Sequence, residues 1–253
     1  TFDIVRRIYK MKKADRLNKL EMSKIRMTSK KMDAIEASGQ KIIRFTYGEP
    51  NFNTPDYIKE AAKKAIDENH TKYTDYTGSP AFQAAVAAKY ERENGLKFKP
   101  SQVISTHGGA QAAYLVLTTF LNPGDEVIIP NPMYNIYRII GEICGATVKE
   151  YKLKEENGFQ IDLKEMESLI TDKTKMIVIC SPSNPIGSVL TDENLEGLGE
   201  LVKDKDLIIC SDEMYERLTY DGVQASSPAK FDTMRDKTII INGFSKAFAM
   251  TGW

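Results

Sequence analysis

The feature that most constrains the fold is an alternation of short apolar runs with amphipathic helical patterns, from about residue 103 to residue 241. Continuous apolar runs are typical of strands buried on both faces, and parallel strands need crossovers between them. We therefore predict an α/β fold with a mostly parallel sheet flanked by helices. The predicted strands are residues 103–106, 127–130, 147–153, 176–180, 207–210 and 238–241.

Two helices are predicted before this alternation, and each begins with a threonine or serine followed by a proline. Thr54-Pro55 and Ser79-Pro80 each offer a hydroxyl for the N-cap and a proline for the first helical position. A later predicted helix contains Gly197 and Gly199, which weaken its helical propensity.

Composition excludes several classes of function. The 35 basic and 35 acidic side chains balance, which argues against nucleic acid as the main partner. No apolar run approaches the roughly 20 residues that span a bilayer, so we predict no membrane partner. The 3 cysteines are too few and too scattered for a disulfide framework or a four-ligand zinc site, so we expect no metal and a cytoplasmic location.

The basic charge is concentrated at the N-terminus. Residues 1–32 hold 11 basic side chains and 3 acidic ones. Such a stretch can bind nucleic acid or a membrane. We interpret it as a solvated helix or arm, because it lacks a repeated basic motif and interleaved aromatic residues.

A glycine-rich turn follows the first predicted strand. The sequence His107-Gly108-Gly109-Ala110 opens an apolar helix, and a glycine turn at a helix N-terminus can bind phosphate. A tight strand-to-helix turn explains the same residues. An esterase oxyanion loop is a third interpretation, but it requires a Gly-x-Ser-x-Gly elbow that the sequence lacks.

Polar or aromatic side chains also follow the other strands. They are Tyr134, Asn184, Asp212, Tyr215 and Lys246. Alone, each has an ordinary explanation as a core aromatic, a proline-rich turn, a helix cap or a solvated chain end. Because ligands of parallel sheets bind beyond the carboxyl ends of the strands, we expect these groups to form one site. Together with the phosphate cradle they match the needs of pyridoxal phosphate: a Schiff-base lysine, a carboxylate for the pyridine nitrogen, and an amide and a phenol for the 3′-oxygen.

From about Asn18 to Trp253 the sequence resembles the class I/II pyridoxal-phosphate aminotransferases, the aspartate aminotransferase-like branch of fold type I. As a set, the matching motifs are highly specific. They are residues 47–52 (YGEPNF), 71–73 (TKY), 94–96 (NGL), 123–127 (PGDEV), 183–187 (SNPIG), 211–215 (SDEMY) and 242–253 (NGFSKAFAMTGW).

The resemblance implies catalytic roles for Lys246, Asp212 and Tyr215, and a binding role for Asn184. Lys246 matches the lysine that forms the Schiff base with pyridoxal 5′-phosphate and moves the proton between the substrate Cα and the cofactor. Asp212 matches the partner of the pyridine nitrogen. Tyr215 and Asn184 match the ligands of the 3′-oxygen, and Asn184 also lies near the substrate carboxylate in the family.

The resemblance also implies the remaining binding residues. Tyr134 matches the aromatic side chain that stacks on the cofactor and borders the substrate, and Gly48 matches a backbone contact to the substrate. Tyr73 matches a tyrosine that reaches the cofactor phosphate of a neighbouring subunit, which implies a homodimer. The expected phosphate-loop residues are Gly108, Gly109 and Ala110, and Ser245 is expected to be a further cofactor-binding residue.

The family pattern further predicts the extent of the chain. In the family, an arginine that pairs with the cofactor phosphate directly follows Thr251-Gly252-Trp253, and an arginine for the substrate carboxylate lies further on. We therefore expect an N-terminal part of a longer protein. Residues 1–47 would form an N-terminal arm and a partial small domain, and residues 48–253 a large cofactor-binding domain without its C-terminal part.

The resulting functional prediction is transfer of an amino group from an amino acid to a 2-oxo acid. Two alternatives remain from the sequence. Related carbon–sulfur lyases share this pocket, and a non-catalytic chain could keep the fold for binding or regulation. Retention of Lys246, Asp212, Tyr215 and Asn184 together favours an enzyme, because a scaffold has no physical need for all four.

Overall fold

A computed structural model describes residues 12–18, 20, 24–46 and 48–253. Much of the basic segment at residues 1–32 lies outside these residues, as does Tyr47 of the motif at residues 47–52. Among the described residues, no helix has the length and apolar character needed to cross a membrane.

Five strands form one sheet in which every neighbouring pair is parallel. The strand order is β2-β1-β3-β4-β5, so the chain crosses over after β2 to return beside β1. This arrangement confirms the predicted α/β class and the parallel sheet. The strands are β1 (Glu126–Asn131), β2 (Thr147–Lys152), β3 (Thr174–Cys180), β4 (Ile208–Asp212) and β5 (Thr238–Ile241).

Helices cover both faces of the sheet. They are α1 (Lys24–Ala37), α2 (Asp56–Asp67), α3 (Pro80–Asn94), α4 (Gly108–Phe120), α5 (Ile136–Ile143), α6 (Leu163–Leu169) and α7 (Asp192–Val202). One core cluster joins α4 and α5 to the sheet through Leu117 and Ile140, and the other joins α6 and α7 to the opposite face through Met166 and Leu198. The continuous apolar strands are explained by this double coverage.

The strand predicted at residues 103–106 does not form. The segment is extended, but its amide and carbonyl groups bond elsewhere: Ser105 N donates to Thr77 O (2.8 Å), and Val103 O accepts from the Gln83 side chain (2.9 Å). A groove of about 580 Å³ lies between this segment and β5. An apolar run becomes a strand only when another strand lies close enough to pair with it, and here the groove separates the two.

One of the two predicted hydroxyl caps is confirmed and the other is wrong. Ser79 Oγ accepts from Phe82 N (3.2 Å) at the start of α3. At the start of α2 the N-cap is Pro55, because the Thr54 hydroxyl instead donates to Ala249 O (2.5 Å). A long-range hydrogen bond thus replaces the local cap.

The two glycines of α7 have a packing reason. A Cβ at Gly197 would collide with the Leu163 side chain of α6, and one at Gly199 would collide with the Thr233 hydroxyl. The two glycines therefore lie where α7 is closest to neighbouring side chains, despite the low helical propensity of glycine.

Candidate active site

Asp212 is the last residue of β4, and its carboxylate is held by two donors. Tyr137 Oη of α5 donates to Oδ2 (2.8 Å), and the Met214 amide donates to Oδ1 (3.2 Å). Burial raises the pKa of Asp212, while these two hydrogen bonds act in the opposite direction. A buried carboxylate with two fixed donors is oriented well enough to bind a cationic ring nitrogen.

Tyr215 and Asn184 are in direct contact. Asn184 Nδ2 donates to the phenol oxygen of Tyr215 (3.0 Å), although the two residues lie on loops after different strands. Burial raises the pKa of Tyr215 to about 12, and the hydrogen bond from Asn184 lowers it. Tyr134 joins the same group through its backbone, because its amide donates to Asn184 O (3.2 Å), while its side chain stays half-exposed.

Lys246 lies on the loop after β5, and its ammonium faces this group. Its Nζ lies 5.8 Å from the centroid of the Tyr215 ring and donates to the carbonyl of Gly48 (2.5 Å). The predicted cofactor lysine thus meets the predicted substrate-contact residue, although 198 positions separate them in sequence. The side chain is half-buried, which leaves the amine accessible.

The segments that carry Gly48 and Lys246 are joined by further contacts. Thr251 Oγ1 donates to Glu49 Oε1 (2.9 Å), and Trp253 Nε1 donates to Thr54 Oγ1 (3.2 Å). The segment that carries Gly48 and the segment that carries Lys246 are therefore in direct contact, although they lie at opposite ends of the part of the chain that carries the predicted site.

The predicted phosphate cradle lies at the N-terminus of α4. Its N-cap, His107, makes no capping bond with its side chain, and Gly108 has φ +75°. Gly109 lies against Met214, since a Cβ there would fall 2.6 Å from Met214 Cε. Because the Met214 amide bonds to Asp212, the helix N-terminus and the carboxylate flank the same methionine. Ala110 follows in the first turn of the helix and is exposed.

Two predicted site residues make no side-chain contact with this group in the described part of the chain. Tyr73 is fully exposed, as a residue that acts on another subunit would be. Ser245 is half-buried beside Lys246, and its carbonyl accepts from the Met250 amide (3.2 Å). Among the described residues there is also no group of three or more His, Cys, Asp or Glu that could hold a metal ion.

Tyr137 is a site residue that sequence analysis missed. Its ring is 1% exposed and belongs to the core cluster beneath α4 and α5, so its position in the sequence looks like that of an ordinary core aromatic. The available signal was its phenol, because a buried tyrosine hydroxyl almost always has a hydrogen-bond partner.

The sequence and the fold of the chain match one family of known proteins. The family model for aminotransferase class I and II matches residues 40–253. The chain is 40% identical over 244 residues to an aspartate aminotransferase of Bacillus subtilis, a match that covers 96% of this chain and 62% of the relative. It is 41% identical over 241 residues to an aromatic-amino-acid aminotransferase of Thermococcus litoralis, covering 95% of this chain and 61% of the relative.

Solved structures match to the same extent. The aspartate aminotransferase of Rhizobium meliloti superposes with a TM-score of 0.93 at 33% identity, covering 96% of this chain and 61% of that one. The chain thus spans about 60% of the length of the relatives that it matches. The sheet with its two helical layers has the fold type I architecture, and members of the family use pyridoxal 5′-phosphate. On its sequence and its fold, the chain belongs to the class I and II aminotransferases.

Proposed function

We propose that this protein is a pyridoxal-phosphate-dependent aminotransferase that moves the amino group of an amino acid to a 2-oxo acid. The observation that carries the proposal is the convergence of Lys246, Tyr215, Asn184 and Asp212 at one edge of the sheet. The chemistry of these groups fits the cofactor: an amine, a phenol, an amide and a buried carboxylate, with a glycine turn beside them in which Gly109 lies against the Met214 side chain.

The proposed roles follow from these positions. Asp212 would bind the ring nitrogen, with Tyr137 and Met214 orienting its carboxylate. Tyr215 and Asn184 would bind the 3′-oxygen. The N-terminus of α4, with Gly108, Gly109 and Ala110, would bind the phosphate together with Ser245, and Tyr134 would cover the ring.

When bound, pyridoxal phosphate supplies an electron sink that weakens the bonds to the substrate Cα. The chain supplies the group that moves the proton. Lys246 Nζ is the amine available to take the proton from Cα, and the Gly48 carbonyl holds that amine at the mouth of the site. Asn184 and the Gly48 backbone would bind the substrate next to this amine.

Relatives named for aspartate suggest the substrate class to test first, with an aromatic amino acid second. We also propose a homodimer in which Tyr73 of each subunit completes the partner subunit's phosphate site, and the full exposure of Tyr73 supports this. We retain the cytoplasm as the compartment and the division into an arm with a partial small domain (1–47) and a large domain (48–253). Of the residues described within 27–46, Ser29 alone is buried, which supports that division.

The test of the site is borohydride reduction of the full-length protein with pyridoxal phosphate, followed by peptide mapping. The label should lie on Lys246, and Lys246→Ala should abolish both labelling and transamination. Lys173→Ala, which removes an exposed lysine far from the site, is the matched control. A label on another lysine would refute the assignment. Release of a thiol, pyruvate and ammonia from a cysteine S-conjugate, without transamination, would support the lyase instead.

The test of the shared site is a mixture of two inactive variants. Tyr73→Phe and Lys246→Ala subunits should form heterodimers with one intact site, so that mixing restores part of the activity. A fully active monomer would exclude the shared site.

A further inference from the structure

A second buried carboxyl directly follows Asp212. The Glu213 side chain is 3% exposed, and its Oε1 accepts from Ser211 Oγ (3.0 Å), so these two side chains point the same way. Asp212 lies between them in sequence and points the other way, toward Tyr137. The end of β4 therefore presents one carboxyl to each side of the sheet, and the proposed function uses only the first.

The contacts of Glu213 join three segments of the chain. Its Oε1 also accepts from Ser227 Oγ (2.6 Å), a residue 14 positions along the chain. Its backbone amide donates to Ile241 O, the last residue of β5 (2.8 Å). Glu213 thus links the end of β4, the end of β5 that leads to Lys246, and the far end of the loop that carries Tyr215.

Two charged groups of opposite sign face Glu213: the Glu216 carboxylate disfavours its ionised form, and Lys89 favours it. Both donors to its carboxyl are neutral hydroxyls. Glu216 lies one turn along, where its amide donates to Glu213 O (3.0 Å), and it is paired with Lys89 of α3. The neighbouring α3 residue, Tyr90, bonds through its hydroxyl to Asn242 Nδ2 (3.1 Å). Lys89 is therefore already paired with Glu216.

A buried oxygen of Glu216 lacks a donor. Oε1 of Glu216 binds Lys89, but its Oε2 is buried and has no hydrogen-bond partner among the described residues. A protonated Glu213 would have one O–H to donate in this region, whereas an ionised one would add a second negative charge. Burial, with the Glu216 charge acting in the same direction, raises the pKa of Glu213 to about 7, while the two serine hydroxyls and Lys89 lower it.

We propose that Glu213 is a positioning residue that holds its proton in the folded protein at mildly acidic pH and, with its carboxyl bound by two serine hydroxyls, fixes the Tyr215 loop against the ends of β4 and β5. The link to Tyr215 rests on the proposed function, whereas the retained proton does not.

The retained proton is tested by thermal unfolding of the cofactor-free, full-length protein between pH 5 and pH 8. The folded pKa lies above the ordinary value of 4.5, so the stabilisation is present below 4.5 and is lost as the pH rises toward about 7. Glu213→Gln keeps a neutral acceptor for both serines. Its melting temperature should therefore rise relative to wild type as the pH increases, and then reach a plateau. Glu196→Gln on the exposed side of α7 is the matched control and should run parallel to wild type.

Parallel curves for Glu213→Gln and wild type would overturn the proposal. If that variant fails to fold, Ser227→Ala gives the second measurement. It removes the 2.6 Å donor to the ionised form, so the loss of stability between pH 5 and pH 8 should become steeper than in wild type. An unchanged slope would contradict the retained proton.

The positioning role is tested by the dissociation constant and absorbance maximum of bound cofactor. Glu213→Gln should bind within about twofold of wild type, whereas Glu213→Ala should bind about tenfold more weakly with a shifted maximum. Wild-type binding and absorbance in Glu213→Ala would exclude a positioning role. If wild type itself takes up no cofactor, the proposed function fails, and the unfolding profile still decides whether Glu213 keeps its proton.

Discussion

Two regions of the molecule differ sharply in how far their apolar side chains are buried. In the sheet region, residues 126–241, the central strands β3 and β4 are buried along almost their whole length. In the N-terminal region, residues 40–76, no described residue is buried, and Phe45, Tyr73 and Tyr76 are each more than 90% exposed. The chain thus contains a well-packed core and a segment whose apolar side chains are exposed to solvent.

The contrast is clearest in α2. Ile58, Ala61, Ala62, Ala65 and Ile66 recur at helical spacing, as in a helix that packs on a core. Nevertheless α2 has no buried residue, and Ile66 is 65% exposed. An amphipathic pattern therefore predicts which face of a helix can be buried. Its burial requires another surface against which that face can pack. The dimer that we propose is one source of such a surface.

The largest effect is expected in the sheet region. Ile209 of β4 is fully buried, so Ile209→Ala should lower the free energy of unfolding by about 2–5 kcal/mol, because it leaves a cavity that the packed strands cannot close. Urea denaturation of the full-length protein measures this. Ile209→Val should cost only about 0.5–1.5 kcal/mol. Equal losses for the two variants would show that packing volume does not decide the stability of this region.

The next effect concerns the site at the edge of the same sheet. Tyr137→Phe removes the 2.8 Å hydrogen bond to Asp212, and should cost about 1–3 kcal/mol. That bond favours the ionised carboxylate, so its removal raises the pKa of Asp212 further above its ordinary value of 3.8. The loss should therefore grow as the pH rises above 3.8. Unfolding of the cofactor-free protein at pH 4 and pH 8 measures it, and a loss that shrinks with pH would contradict the assigned donor.

A smaller effect is expected from a lysine that binds the C-terminal end of a helix in the sheet region. Lys237 Nζ donates to the carbonyls of Val202, Lys203 and Lys205, each at 2.9 Å, and so satisfies the C-terminus of α7. Lys237→Met should cost about 1–2 kcal/mol, because three carbonyls lose one shared donor. Thermal denaturation measures the change. Lys205→Met, which removes only an exposed side chain, should leave the transition unchanged.

The smallest effect is expected in the N-terminal region. In the 253-residue chain, Ile66→Ala should change the free energy of unfolding by less than about 0.5 kcal/mol, because the side chain is exposed. A loss above about 1 kcal/mol in this chain would contradict the exposure. The same measurement on the full-length protein sharpens the comparison, since a larger loss there would identify α2 as a covered surface, as the proposed dimer predicts.

The convergence of the site could be predicted without coordinates. Asn184, Asp212 and Lys246 each follow an apolar run, and the carboxyl ends of parallel strands share one edge of a sheet. Their order along the chain therefore implied their proximity. Tyr73 could not be placed in this way, because its proposed partner belongs to another subunit.

The sequence by itself determined the alternation of strands and helices, the parallel sheet and the chemistry offered at its edge, because these depend on local apolar periodicity and on which residue ends each strand. The tertiary structure decided the contacts between distant residues. Tyr137 reaches Asp212 across 75 positions, Thr54 donates to Ala249 rather than capping α2, and residues 103–106 lie beside a groove rather than a paired strand. Such contacts depend on how distant segments of the chain are arranged in three dimensions. Local apolar periodicity does not specify that arrangement.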